Sequence, residues 1–373
     1  MFREILLGIV SGIISALVPG MHINTLSPLI ASLNSPTTLF AAYISFTFFL
    51  IFPPVFLYST NSDIGALLPP SQRMALKGEG RRAVSLCATG TFASFLIASP
   101  FIILARPLFD LFNNKIIALG FIFLIIAMLF YTEHKKLGGI FIFFLCGALG
   151  MLSMKESNAL MPLLTGLFGV PFLLSRGQNF DVPSADGVES GEIGKKGLFS
   201  VLIISTLVGS LAGLLPGITP GAISVLLYLL IKSDEHKIFS MGAIAGSNVV
   251  ACIGNFYATG KTRSGVLVEI SKMENIPSLS YVLMITIIVA VLCFLMLPLF
   301  SKMLGRVYGC IGKAKLIFVF VIAVLSFMFA GLNGVILLSI ATTLGLLTKE
   351  LGVRRIECMG VIILPTLCAF ILF

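Results

Sequence analysis

The chain has 373 residues, enough for two or three soluble domains, but 57% of them are hydrophobic, 11% are charged and the mean hydropathy is +1.07, which excludes a water-soluble fold. The formal charge of +9 does not mark a nucleic-acid partner, because the basic residues form short clusters between apolar runs, such as Arg73/Lys77/Arg81/Arg82 and Lys302/Arg306/Lys313/Lys315. Seven cysteines are scattered without a C-x-x-C spacing, so they read as packing residues and not as a disulfide framework or metal cage.

In chain order, residues 5–62 contain no Asp, Glu, Lys or Arg. They read as a hairpin broken at Pro19-Gly20, then a span from Leu39 to Tyr58 that Pro53-Pro54 interrupts. Apolar runs 83–105, 116–132, 137–154 and 157–175 follow, each close to the roughly 20 residues that cross a bilayer as helix. The polar stretch 176–197 cannot span and reads as a linker. The pattern then restarts. Residues 205–227 align with 8–30, placing Gly209 on Gly12, Leu214 on Leu17, Pro216-Gly217 on Pro19-Gly20 and Ser224 on Ser27. Further on, Tyr257 and Thr259 fall on Tyr58 and Thr60, and runs 279–301, 316–331, 335–348 and 356–373 take the places of the earlier four. This recurrence also argues against reading Arg3 and the apolar stretch 5–18 as a secretory signal.

The expected architecture is an all-α polytopic membrane protein: repeat 1 over 1–175, a cytoplasmic linker over 176–197 and repeat 2 over 198–373. If the stretch around each Pro-Gly forms a re-entrant hairpin that does not cross, each half makes five crossings, about ten in all, and the second half is inverted. Under that layout 18 of the 25 Lys/Arg fall in inside segments. Letting 4–33 cross as one broken helix would make the repeats parallel.

Proline removes a backbone donor and glycine accepts unusual backbone angles, so both Pro-Gly pairs are expected to break their helices at membrane depth. Bare backbone groups are tolerated there only if they are buried in protein or line a wet cavity, which makes a matched pair of breaks a pointer to a transport site. Thr219 suits an N-cap and Pro220 a first helical position, ahead of Gly221, so a helix N-terminus faces the second break. The first break carries Met21-His22-Ile23-Asn24-Thr25. Helix N-termini hold carboxylate or phosphate, and His22, Asn24, Thr25 and Thr219 add directional hydrogen bonds. For His22 three roles stand open: contacting substrate, carrying a proton, or satisfying a backbone group of the break. Secondary pathway candidates are Pro53, Pro54, Asn248 and Asn255, the two asparagines being seven residues apart on nearly one helix face.

No Asp or Glu falls deep within a predicted span, which argues against a carboxylate relay. No cofactor is expected. A coupling ion is Na⁺ on carbonyls and hydroxyls of the broken segments, or H⁺. Hydrolase, metalloprotease and Walker motifs are lacking, so an enzyme is not expected.

The segments VPGMHINT (18–25), LPGITPGA (215–222), FPPVFLYSTNSDIGALLPPSQRMALKGEGRRAV (52–84), LMPLLTGLFGVPFLL (160–174) and NFYATGKTRSGVLV (255–268) together resemble the TctA family, the large membrane permease of tripartite tricarboxylate transporters, in its compact archaeal-type branch. The resemblance runs from Gly8 to the C-terminus. It implies a secondary transporter of an organic anion in the cell membrane, with Pro19, Gly20, Pro216, Gly217 and Gly221 meeting near the midplane. A small membrane subunit or a second copy of the chain are the protein partners it suggests. The other readings are a lipid-phosphate carrier or flippase, since phosphate suits a helix N-terminus equally, and a non-transporting membrane scaffold.

Overall fold

A computed structural model describes residues 1–18, 21–56, 68–104, 114–131, 135–154, 156, 158–174, 197–215, 217–311 and 315–372. Among these the chain is helical, with no strand. The first half gives α1 (Phe2–Leu17), α2 (Ile23–Ala31), α3 (Pro36–Phe49), α4 (Phe52–Phe56), α5 (Leu68–Leu76), α6 (Gly80–Ala98, extended by a 3₁₀ segment Ser99–Leu104), α7 (Asn114–Tyr131), α8 (Lys136–Ser153), α9 (Leu160–Leu164) and, after the π turn Thr165–Gly169, α10 (Val170–Leu174). The second half gives α11 (Leu198–Leu214), α12 (Pro220–Tyr228), α13 (Asp234–Thr259), α14 (Gly265–Ser271), α15 (Leu279–Ile311), α16 (Lys315–Glu350), a 3₁₀ turn Arg355–Met359 and α17 (Gly360–Leu372).

Among the described residues five segments are long and apolar enough to cross a membrane: Pro36–Phe56, Lys136–Ser153, Asp234–Thr259, Leu279–Met303 and Leu316–Glu350. The apolar stretches of Pro36–Phe56 and Asp234–Thr259 are wholly buried inside the protein, and they form the axis of the molecule. Other expected spans coincide with shorter apolar helices, such as Ile117–Phe130 and Leu160–Leu174. The linker 176–196 lies outside the described residues, as do Tyr58 and Thr60.

Small residues set the closest helix contacts. On α1 the buried positions Ile5, Gly8, Ile9, Gly12, Ile13 and Ala16 recur every three or four residues and face α3. A Cβ on Gly12 would collide with Ser45 and with the Ala42 carbonyl, so its absence lets the two backbones touch. Gly209 on α11 does the same against Ile244 and Ser247 of α13. Gly8 lies beside Thr38 and Ala41, and Gly12 beside Ala42 and Phe46, so α1 and α3 run parallel. The short α2 must therefore carry the chain back between them. The α11–α12–α13 unit has the same form, because Gly209 meets Ile244 while Gly213 meets Asn248 and Ala251.

The axial helices run in opposite directions. Gly80, at the start of α6, packs on Val55 and Phe56 at the end of α4, so α6 returns antiparallel to α3. Along α6, Gly90 meets Phe239 and Ala243, and Gly254 of α13 meets Ile102, so α6 and α13 are parallel. Ion pairs fasten the shared end: Arg73 Nε donates to Asp234 Oδ2 at 2.7 Å, and Arg82 lies 3.0 Å from Glu235.

The run 315–350 is not one straight helix. Ala330 and Gly331 are non-helical, with Gly331 at φ +60°, and Gly334 packs against the Ser326 carbonyl eight residues back. A continuous helix would separate those residues by about 12 Å. The chain thus doubles back, and α16 is two arms joined at the boundary expected between the apolar runs 316–331 and 335–348. The helices α7 to α10, α16 and α17 pack among themselves as a second bundle, meeting the axial one through α12, which touches α7 and the 3₁₀ turn Arg355–Met359.

Candidate functional site

Both Pro-Gly elements interrupt the helix. After α1, Val18 is extended (φ −79°, ψ 119°), and α2 starts at Ile23 with His22 as N-cap. After α11, Leu215 is extended (ψ 137°), Gly217 adopts φ +71°, and α12 starts at Pro220 with Thr219 as N-cap. Pro19, Gly20 and Pro216 themselves lie outside the described residues.

The caps specify chemistry. The Asn24 N–H donates to His22 Nδ1 at 3.1 Å, and the Ala222 N–H donates to Thr219 Oγ1 at 3.2 Å. The His22 ring thus caps α2 through Nδ1. Its centroid lies 4.8 Å from that of the Phe46 ring, the two planes tilted by 59°. Phe46 is near the middle of Pro36–Phe56, so the first hairpin turns halfway along the enclosed segment.

Asn24 has a further task. The Gly265 N–H donates to its Oδ1 at 2.9 Å, and a Cβ on Gly265 would press on the Asn24 side chain at 2.9 Å. The tip of the first hairpin is thereby latched to the loop 260–264 that follows α13. That loop carries Arg263, whose guanidinium is pulled down from its ordinary pKa by burial, with nearby Cys252 acting in the opposite sense. Ser264 then caps α14 through the Leu267 N–H at 3.3 Å.

These elements enclose a cavity of about 630 Å³. One wall is the first hairpin tip, with His22, Asn24 and Thr25. Another is the second tip, with Gly217, Thr219 and Pro220, backed by Asn248 and Cys252 of α13. The 262–272 segment brings Arg263, Glu269 and Lys272, while the second bundle closes the far side with Glu156, Asn158, Phe329 and Thr366. Two contacts hold that far wall: Asn158 Nδ2 donates to the Phe329 carbonyl at 3.0 Å, and Gly217 packs on Thr366. His22, Thr25 and Asn248 are all less than one-tenth exposed.

The structure thus gathers His22, Asn24, Thr25, Gly217, Thr219, Pro220 and Asn248 around one space. Four other expected residues do not line it. Gly221 lies in the first turn of α12, just past lining Pro220. Pro53 and Pro54 do break the α3–α4 run, but they sit at its far end, where Ser71 donates to the Pro54 carbonyl at 3.3 Å. Asn255 shares a face with Asn248 but lies about 10 Å further along the axis; it is fully buried, its Oδ1 accepts from Thr259, and its Nδ2 has no partner among the described residues. Tyr257 donates to the Pro277 carbonyl at 2.6 Å, a structural tie.

The sequence reading missed Arg263, Glu156, Glu269, Lys272 and Thr366, because each sits in a loop or on a helix remote from either Pro-Gly. The run Thr262-Arg263-Ser264-Gly265 held a usable signal, a cation between small polar residues just ahead of an N-cap serine. One carboxylate at the edge of the predicted run 356–373 is buried in protein. Glu357 is 0% exposed, because the 3₁₀ turn Arg355–Met359 folds into the second bundle, where Arg355 Nη1 donates to the Phe168 carbonyl at 2.7 Å.

The chain is 24% identical over 394 residues to Uncharacterized protein MJ1079 of Methanocaldococcus jannaschii, an alignment covering 98% of each. No solved structure matches. Residues 4–360 match the family model described as the tripartite tricarboxylate transporter TctA family. With nearly the whole length matched and several apolar helices able to cross a bilayer, the chain is a multi-pass membrane protein that belongs to the TctA family of permeases.

Proposed function

We propose that this permease is a secondary active transporter of a small organic anion of the carboxylate class, working by alternating access and driven by Na⁺ or H⁺. The observation that carries the reading is the cavity itself: both interrupted hairpins contribute capped helix N-termini to its wall, together with Arg263. Positive helix ends and a guanidinium suit a carboxylate. We read 1–175 and 198–373 as inverted repeats with re-entrant hairpins, supported by the opposite directions of α3 and α13 and by the hairpin turn level with Phe46. The cavity lies between the two bundles, so sliding one past the other would present it to either side of the membrane.

The test is uptake into proteoliposomes. A panel of radiolabelled mono-, di- and tricarboxylates is offered under an inward Na⁺ gradient, an inward proton gradient, or neither. Accumulation of at least one carboxylate under one gradient, abolished by the matching ionophore, is expected. If no carboxylate accumulates under either gradient while a polyprenyl phosphate is translocated, the lipid-phosphate reading replaces this one.

A further inference from the structure

Among the described residues the cavity opens at one end of the molecule. Its exposed lining residues are Asn24 at the first tip, Glu156, Asn158 and Leu160 after α8, and Val268 and Lys272 on and after α14. None of the lining residues on α11, α12, α13 and α17 is exposed. Chain direction says which end this is. Helix α13 starts at Asp234, paired with Arg73, and finishes at Thr259, ahead of the loop at the mouth. Gly138, near the start of α8, packs on Val353, and α8 ends at Ser153, just before the other mouth loop. The turn Arg355–Met359 touches α12, the arm that leads from the second tip to the start of α13. The starts of α8 and α13 and the segment 349–355 therefore share the end opposite the mouth.

That opposite end is sealed. Gly217 of the second tip packs on Thr366 of α17, and behind them α12 rests on the turn Arg355–Met359. In the repeat alignment Gly217 corresponds to Gly20, and α17 takes the place of the run 157–175. The second tip is thus seated on its bundle helix, whereas the first tip faces Leu160 and Leu164 of α9 across the cavity. One hairpin seated and its counterpart withdrawn is the arrangement that inverted repeats give on one side of an alternating-access cycle. Charge assigns the sides. The sealed end holds the clusters Arg73/Lys77/Arg81/Arg82, Lys135/Lys136 and Lys349/Arg354/Arg355, against the scattered Arg3, Lys261, Arg263 and Lys272 at the open end. Excess Lys/Arg marks the cytoplasmic face.

We infer that the structure is the outward-facing state of the carrier, its cavity shut off from the cytoplasm by the seat of Gly217 on Thr366. The inference rests on the alternating-access reading above and adds the side from which this state takes its substrate.

The experiment is labelling by a membrane-impermeant cationic methanethiosulfonate in intact cells and in inverted membrane vesicles, with the native full-length chain as the thiol background. Thr366→Cys places a thiol on the cavity floor at the seal, while Lys272→Cys and Lys349→Cys mark the open and the sealed end. Lys272→Cys is expected to react in intact cells, Lys349→Cys in inverted vesicles, and Thr366→Cys at least tenfold faster in intact cells than in inverted vesicles. Leu164→Cys, on the α9 wall, supplies the same comparison if Thr366→Cys does not fold. Equal rates from the two sides, a faster rate from the cytoplasmic side, or no reaction of either cavity thiol overturns the inference, as does reaction of Lys349→Cys in intact cells. The labelling needs no substrate. If it runs as expected and no carboxylate accumulates in proteoliposomes, the organic-anion reading falls and the sidedness stands; accumulation with the cavity thiols reached from the cytoplasm removes the inference alone.

Discussion

The contact between Gly217 and Thr366 is where the second hairpin tip meets the second bundle, and Gly217→Ala tests it. Two independent penalties arise. Gly217 adopts φ +71°, a conformation that costs an L-residue with a side chain roughly 1–2 kcal/mol. The new methyl would also sit 2.5 Å from Thr366 Oγ1, 2.8 Å from its Cγ2 and 2.9 Å from its Cβ. Such overpacking typically costs about 1–3 kcal/mol, so the single substitution should destabilise by about 2–5 kcal/mol. Thr366→Ala removes the two nearest atoms and should return much of the steric share while leaving the backbone share, giving a coupling of about 1–2 kcal/mol in a double-mutant cycle. Unfolding can be followed in mixed detergent by the reactivity of thiols buried in the folded state, among them Cys87, Cys146, Cys252, Cys293 and Cys358. A cost for Gly217→Ala within about 0.5 kcal/mol of zero, or additive effects of the two substitutions, would refute the contact and with it the packing of the hairpin tip on the second bundle.

Substitutions at five further positions separate scaffold from site. Gly12→Leu and Gly209→Leu should each cost several kcal/mol because the new side chain meets backbone of the neighbouring helix, whereas Gly120→Ala, which has open space around it, should be neutral or slightly stabilising; the same thiol assay ranks them. Asn24→Ala removes the acceptor for the Gly265 N–H, at about 1 kcal/mol, and should weaken carboxylate binding in calorimetry, while Asn24→Asp, which keeps an acceptor, should retain the latch. Equal binding in both variants would show that the loop holds itself. Thr219→Ala should cost about 1 kcal/mol through loss of the α12 cap and Thr219→Ser much less, read by thermal unfolding.

The features legible in the sequence were those whose chemistry is local. Proline and glycine break a helix by their own covalent structure, and threonine before proline caps one, so both hairpin tips and the start of α12 could be placed from a few adjacent residues. The reversal at Gly331 was legible for the same reason, as a boundary within a charge-free stretch. Convergence was not legible. Arg263 follows an enclosed helix in the other half of the chain, and its loop reaches the first hairpin through contacts between distant parts of the sequence: the packing of α14 on α2 and the Asn24–Gly265 hydrogen bond, which spans 241 residues. Asn248 and Asn255 show the limit of periodicity: a shared face fixes the angle around the axis, but the height along it decides which asparagine reaches the cavity.

The hairpins also explain why fold and site coincide. Helices α2 and α12 have nine residues each, about 14 Å of helix, less than half of the roughly 30 Å hydrocarbon core. On the re-entrant reading proposed above, arms that short would not complete a crossing, and each turn would leave its backbone groups at depth, where lipid offers no hydrogen bonds. Part of the remedy is internal, through His22 and Thr219. The rest requires protein or water around the turns, and the tips meet that requirement by sharing one cavity with the second bundle. Glycine at 12 and 209 seats the first arm of each hairpin tightly on its enclosed helix, so shape complementarity at the arms and polarity at the tips are two consequences of the same short element.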